Sequence, residues 1–200
     1  MSRALQKGKP IDPLTLLQAY AQGYFPMADS RTGKLAWYTA DPRGVLDLGA
    51  FHVPRRLGRT VRQGKYEVRV NTDFEGVVRG CAGREDTWIS EAIVQSYLAL
   101  HRLTYAHSVE SWLGGELVGG LYGVSLGGAF FGESMFARAT DASKVALVAL
   151  VERLRARGYA LLDTQMVTSH MEQFGATTIP LHAYLERLDT ALRLRCLFAP

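Results

Sequence analysis

Glu133 lies in "FFGESMF" and Asp163 in "LLDTQ", each a single acid inside a run that otherwise reads as a buried strand. An unpaired buried carboxylate is costly or forces a large pKa shift, so a folded chain keeps one only with a partner or a task. Gln165 follows Asp163 by two positions. On a strand, i and i+2 share a face, so acid and amide act together if the extended geometry continues. An acid pair without a metal suits binding of a cation and removal of a proton from an amine. The competing reading of Glu133 is structural, with Lys144 or Arg138 as its partner.

Other motifs point elsewhere. Gly123-Val-Ser125-Leu-Gly127 matches G-x-S-x-G, with Asp163 and then His170 or His182 in the chain order of a hydrolase triad. That motif needs a strand, a sharp turn at the serine and a helix, whereas here the chain returns as another strand. A serine hydrolase using Ser125 is therefore the minor alternative. Arg155-Ala-Arg-Gly158-Tyr-Ala160 fits the R-x-x-G-x-A of coenzyme-A-binding loops. It follows a helix instead of preceding one, so Gly158 reads as a C-terminal cap. The five histidines form no i, i+4 pair, and Cys81 and Cys196 are far apart, so no metal site and no disulfide framework is expected.

Two hundred residues, 48% of them hydrophobic, are enough for one well-cored domain with a small appendage. The balance is basic, with 23 Lys and Arg against 19 Asp and Glu. Arg55, Arg56, Arg59, Arg62 and Lys65 cluster without an acid among them, either as a solvated face or as a contact for phosphates. Trp37 and Trp88 are core residues or platforms for a base. No apolar run approaches a membrane span, and the start lacks a signal peptide's apolar core, so a cytoplasmic protein is expected.

These residues must be positioned by a definite series of elements. Asp12 and Pro13 open a helix with Leu14, Leu17 and Tyr20 on one face, and short strands follow near 35–38 and 44–48. Residues 1–54 read as a small N-terminal module, 55–65 as a basic connection, and 55–200 as the main domain. That domain has a strand at 66–71, a helix near 73–81, and a helix capped by Ser90 with Ile93, Tyr97 and Leu100 inward. Three strands then turn at Gly114-Gly115 and Gly127-Gly128. Asp141 is expected to cap the next helix, before the strand "YALLD", a short helix and a last helix opened by Pro180. The order resembles the GNAT-like acyltransferase fold, an α+β arrangement with a mostly antiparallel sheet flanked by helices. In that fold the fourth and fifth strands splay, which would set Glu133 and Asp163 on one cleft.

"GYFPM", "WYTADPRGVL", "DTWIS", "AHSVESW", "ELVGGLYGV", "FFGESMF", "DASKVAL", "LLDTQ", "FGATTIP" and "RCLFAP" together resemble the bacterial leucyl/phenylalanyl-tRNA–protein transferase family, collinearly from about residue 13 to 200. Trp37-Tyr38 stands where that family has paired tryptophans. The resemblance implies transfer of Leu or Phe, less readily Met, from aminoacyl-tRNA to proteins with N-terminal Arg or Lys, marking them for degradation. A noncatalytic binder of tRNA or of basic N-termini is the other reading of the same fold. By the resemblance, Asp163 with Gln165 orients the amine and relays its proton, as base or as positioning group, and Glu133 binds the cationic acceptor. Leu121, Phe130, Met135, Leu150 and Leu162 would form the donor's side-chain pocket. Trp37 and Trp88 would lie near the terminal adenosine, and the 55–65 cations would meet the tRNA. An aminoacyl ester is already activated, so no cofactor is implied, and the protein is expected to act as a monomer.

Overall fold

The computed structural model describes residues 8–28, 34–83 and 87–199; the chain start and the turn-rich stretch at 29–33 lie outside the described residues. Helix α1 (Pro13–Ala21) begins as expected, with the Asp12 carboxylate accepting from the Thr15 N–H. Its buried face is Leu16, Leu17 and Tyr20, while Leu14 is exposed. A strict i+3 series slips by about 60° per step on a 3.6-residue helix, which carries Leu14 off the inward stripe. Strands β1 (Phe25–Ala28) and β2 (Leu35–Tyr38) form an antiparallel ribbon.

Among the described residues the main sheet has seven strands in the order β4-β5-β6-β7-β8-β3-β9. These are β3 (Arg43–Leu46), β4 (Glu67–Val70), β5 (Ala106–Leu113), β6 (Glu116–Leu126), β7 (Ala129–Ala137), β8 (Leu161–Gln165) and β9 (Ala176–Ile179). Every pairing is antiparallel except β7 with β8. β3 is hydrogen-bonded between β8 and β9, so residues grouped by sequence with the N-terminal module are built into the main sheet. The hairpin between β5 and β6 has Gly114 and Gly115 at φ 60° and 84°, the left-handed region that a tight turn of this kind requires.

Helices cover both faces. Helices α1, α3 (Phe74–Ala82), α4 (Glu91–Arg102) and α7 (Leu181–Leu192) bury Tyr20, Val77, Ile93, Tyr97 and Leu188 with Phe131 in one core. Helices α2 (Arg55–Arg62) and α5 (Ala142–Ala156) bury Leu57, Leu147, Leu150 and Leu154 with Phe130 in the other. Adjacent Phe130 and Phe131 thus supply opposite layers, as strand alternation dictates. The 55–65 segment, expected as a connection, is largely helical because Leu57 gives its cationic turns a buried anchor. Asp141 does not cap α5: its φ of 67° turns the carboxylate from the helix N–H groups, and it accepts from Lys144 Nζ at 3.0 Å. The parallel pairing of β7 and β8 ends at Phe131 opposite Asp163. Beyond it the strands part, and Glu133 stands on the rim of that gap. No helix among the described residues is long and apolar enough to cross a membrane.

Candidate active site

Asp163 and Arg43 are both fully buried and form a two-pronged ion pair. Arg43 Nε donates to Oδ1 at 3.0 Å and Nη2 to Oδ2 at 2.6 Å. Tyr184 Oη donates to Oδ2 at 2.7 Å, and the Gln165 backbone N–H donates to Oδ1 at 2.7 Å. Arg43 also donates from Nη1 to the Gly23 carbonyl, and its guanidinium lies over the rings of Phe25 and Tyr184. Gln165 does not continue the strand: its φ is 62°, a left-handed conformation that costs a non-glycine residue of order 1–3 kcal/mol unless its surroundings impose it. The bond to Asp163 and the crossing over Gly44 impose it here. A Cβ on Gly44 would come within 2.8 Å of the Met166 carbonyl carbon, so only glycine lets the chain pass.

Glu133 is 9% exposed and has no cation paired with it among the described residues. Its Oε1 lies 2.7 Å from Tyr20 Oη and 2.9 Å from Gln165 Nε2, and its Oε2 lies 2.7 Å from Tyr97 Oη. Lys144 pairs with Asp141, and Arg138 donates to the Leu117 carbonyl, so neither serves Glu133. Burial pushes its carboxyl up to about 7, against the opposing pull of Tyr20, Tyr97 and Gln165. Gln165 therefore joins the two acids, with its backbone on Asp163 and its side chain on Glu133.

Glu133 lines a cavity of about 370 Å³ whose apolar wall includes Leu121, Met135, Leu147, Leu150, Leu162 and Met171. Four of the five expected pocket residues are in that wall. Phe130 is not; it is fully buried behind it, stacked on Phe198 of the C-terminal segment. The buried side-chain polar atoms without a partner among the described residues are Tyr122 Oη, Thr164 Oγ1 and His170 Nε2. All three residues line this cavity. A volume of this size fits one amino-acid side chain, and the polar atoms can meet groups of a bound molecule.

The sequence profile described as leucyl/phenylalanyl-tRNA protein transferase matches residues 45–189, and that of its N-terminal domain matches 10–41. The chain belongs to the leucyl/phenylalanyl-tRNA–protein transferase family. It is 57% identical over 94% of its length, and 97% of the relative's, to the leucyl/phenylalanyl-tRNA–protein transferase of Gloeobacter violaceus. The protein of that name from Rubrobacter xylanophilus is 56% identical over 94% of this chain and 99% of the relative. Among solved structures, a GCN5-related N-acetyltransferase-like protein from Streptococcus suis is similar at a TM-score of 0.38 and 17% identity, covering 82% of this chain and 63% of the other.

Within this transferase-family fold the other expected site residues are dispersed. Trp37 and Trp88 are half-buried at the edge of the core that holds Tyr20 and Tyr97, and neither lines the cavity. Arg55, Arg56, Arg59, Arg62 and Lys65 are all exposed on α2 and the turn after it. Three of them line a groove against Val148 and Glu152 of α5. The hydrolase alternative has no geometry behind it. Ser125 lies within β6 with its Oγ 2.6 Å from Tyr159 Oη, and the partner of Asp163 is Arg43. Gly158 caps α5 at φ 74°, as its position after the helix implied.

Arg43, Tyr184, Tyr20 and Tyr97 were missed as site residues by sequence reasoning. Two signals pointed to them. Tyrosines on the inward faces of three helices must find partners for their hydroxyls, and an arginine opening an apolar strand must find an acid.

Proposed function

We propose that this protein transfers Leu or Phe, and less readily Met, from aminoacyl-tRNA to the α-amine of proteins with N-terminal Arg or Lys, and that the extended proteins are thereby marked for degradation. The reaction joins the neutral acceptor nitrogen to the ester carbonyl carbon, breaks the bond from that carbon to the terminal ribose oxygen, and passes one proton from the nitrogen to that oxygen, which leaves as a hydroxyl. The α-amine has an ordinary pKa of about 7.7–8.0, so a modest local bias suffices to supply its neutral form. In this reading Glu133 faces the acceptor's cationic end and the Gln165 amide aligns the amine. Asp163 is a positioning group: its bonds to Arg43, Tyr184 and the Gln165 backbone hold Gln165 in its left-handed turn. The donor side chain enters the 370 Å³ cavity, Trp37 and Trp88 serve the terminal adenosine, and the α2 cations meet tRNA phosphates. The protein acts as a monomer in the cytoplasm and needs no cofactor.

The observation that carries this reading is Glu133 itself, a buried carboxyl group with no counter-cation among the described residues, on the wall of an apolar cavity in a chain of this family. Purified protein is incubated with leucyl-, phenylalanyl- or methionyl-tRNA and a peptide beginning with Arg. Mass spectrometry should find the peptide longer by one residue, most readily with the first two donors. No extension with any of the three overturns the proposal.

A further inference from the structure

Three short oxygen contacts close a ring around Glu133. Tyr20 Oη is 2.7 Å from Oε1, Tyr97 Oη is 2.7 Å from Oε2, and the two phenol oxygens are 2.6 Å from each other. Each distance is that of an O–H···O hydrogen bond, and each such bond needs its own hydrogen. Two phenols carry two hydrogens. If both are given to an ionised Glu133, the 2.6 Å contact between the phenols has none, and lone pair faces lone pair between two fully buried side chains. A third hydrogen on Glu133 completes the ring: Oε2–H donates to Tyr97, Tyr97 donates to Tyr20, and Tyr20 donates to Oε1. Gln165 Nε2 still donates to Oε1, which has lone pairs for both.

We propose that Glu133 rests as a neutral carboxylic acid in a three-hydrogen ring with Tyr20 and Tyr97, and that it ionises when a cationic acceptor end binds. The first half stands on the hydrogen count alone; the second rests on the function proposed above. On ionisation the third proton leaves to solvent, both phenols donate to the carboxylate, and their mutual contact must lengthen.

The surroundings agree with this assignment. The groups facing Glu133 are Tyr20 from α1, Tyr97 from α4, Tyr122 from β6, and Asp163 and Gln165 from β8, with Arg43 of β3 behind Asp163. Arg43 and Asp163 neutralise each other, and among the described residues no other cation is hydrogen-bonded or ion-paired to Glu133. Burial raises the carboxyl and both phenols, so the proton has no better resting place among the three. An acid that is neutral until occupied is consistent with Glu133 being tolerated at 9% exposure without a cation among the described residues.

Infrared difference spectra of the whole protein against Glu133→Gln, recorded across pH, test the ring directly. A carboxylic C=O band should persist to near neutrality, its midpoint about 2–3 pH units above that of an ordinary glutamate. A carboxylate already formed near pH 4–5, where free glutamates titrate, overturns the proposal. Carboxyl-carbon NMR of glutamate-labelled wild type gives the same midpoint without relying on a variant. Adding an Arg-initiated peptide should then abolish the acid band and release about one proton per peptide bound. If the acid band survives while the peptide is still extended, acceptor-driven ionisation is wrong and the transferase reading stands. If the ring titrates as expected but no peptide is extended, the neutral acid stands and the transferase reading falls.

Discussion

Asp163 and Glu133 face the same splay in the sheet, yet their surroundings differ in kind. Asp163 is held by a guanidinium, a phenol and a backbone N–H, while Glu133 is held by two phenols and an amide. The first carboxylate has its counter-charge in Arg43, and the second has none among the described residues. A fully compensated ion pair suits a structural post, and an uncompensated acid on a cavity wall suits a binding group. On the function proposed above, the contrast divides the labour within one site: Arg43 and Asp163 would set the shape of the turn at Gln165, and Glu133 would meet what enters.

The contrast breaks most visibly at Arg43. Arg43→Met leaves Asp163 buried without its partner and should cost about 3–5 kcal/mol in urea unfolding. Adding Asp163→Leu should restore much of that stability while transfer stays lost, because nothing then holds the Gln165 turn. Recovery of transfer in the double variant would show that the pair does not position Gln165.

At Glu133 the expected signature is in pH. A folded-state value near 7 against an unfolded value near 4.3 means the folded protein holds its proton more tightly. This contribution is complete below pH 4.3 and declines as pH rises to 7, by of order 3–4 kcal/mol in total. Glu133→Gln removes the titration, so its stability relative to wild type should rise across that window. Parallel stability curves for the two proteins would contradict the assignment.

Smaller effects sharpen the boundary of the site. Met135→Ala enlarges the cavity and should shift donor preference from Leu toward Phe by about 1 kcal/mol, read as a ratio of kcat/KM values. Removing Arg55, Arg59 and Arg62 one at a time should leave the acceptor KM unchanged. Each removal should flatten the salt dependence of tRNA binding by up to about 0.9 in slope if that cation meets a phosphate.

Much of this was legible in the sequence, for local reasons. The caps at Asp12 and Ser90, the glycine pairs at the hairpins and the apolar runs of β5 to β8 are encoded in neighbouring residues, and they bring Glu133 and Asp163 to one gap. What escaped depends on distance. Arg43 meets Asp163 across 120 positions, and no periodicity announces such a pair. β9 is four residues of "ATTI" that become a strand only because β3 offers an edge. α2 was hidden by its charge, since one buried leucine is a weak helical signal. The local rule also overreached at Gln165, where extended geometry gives way to a left-handed turn.

The central claim is that Glu133 is the counter-charge for a cationic acceptor. Its most direct test is leucine transfer from leucyl-tRNA to two peptides that differ only in an N-terminal Arg or its uncharged analogue citrulline, by wild type and by Glu133→Gln. Wild type should prefer the Arg peptide by about 10- to 100-fold in kcat/KM, the range of a charge-assisted contact, and Glu133→Gln should lose most of that preference. A Glu133→Gln protein that still discriminates as strongly would place the acceptor's counter-charge elsewhere.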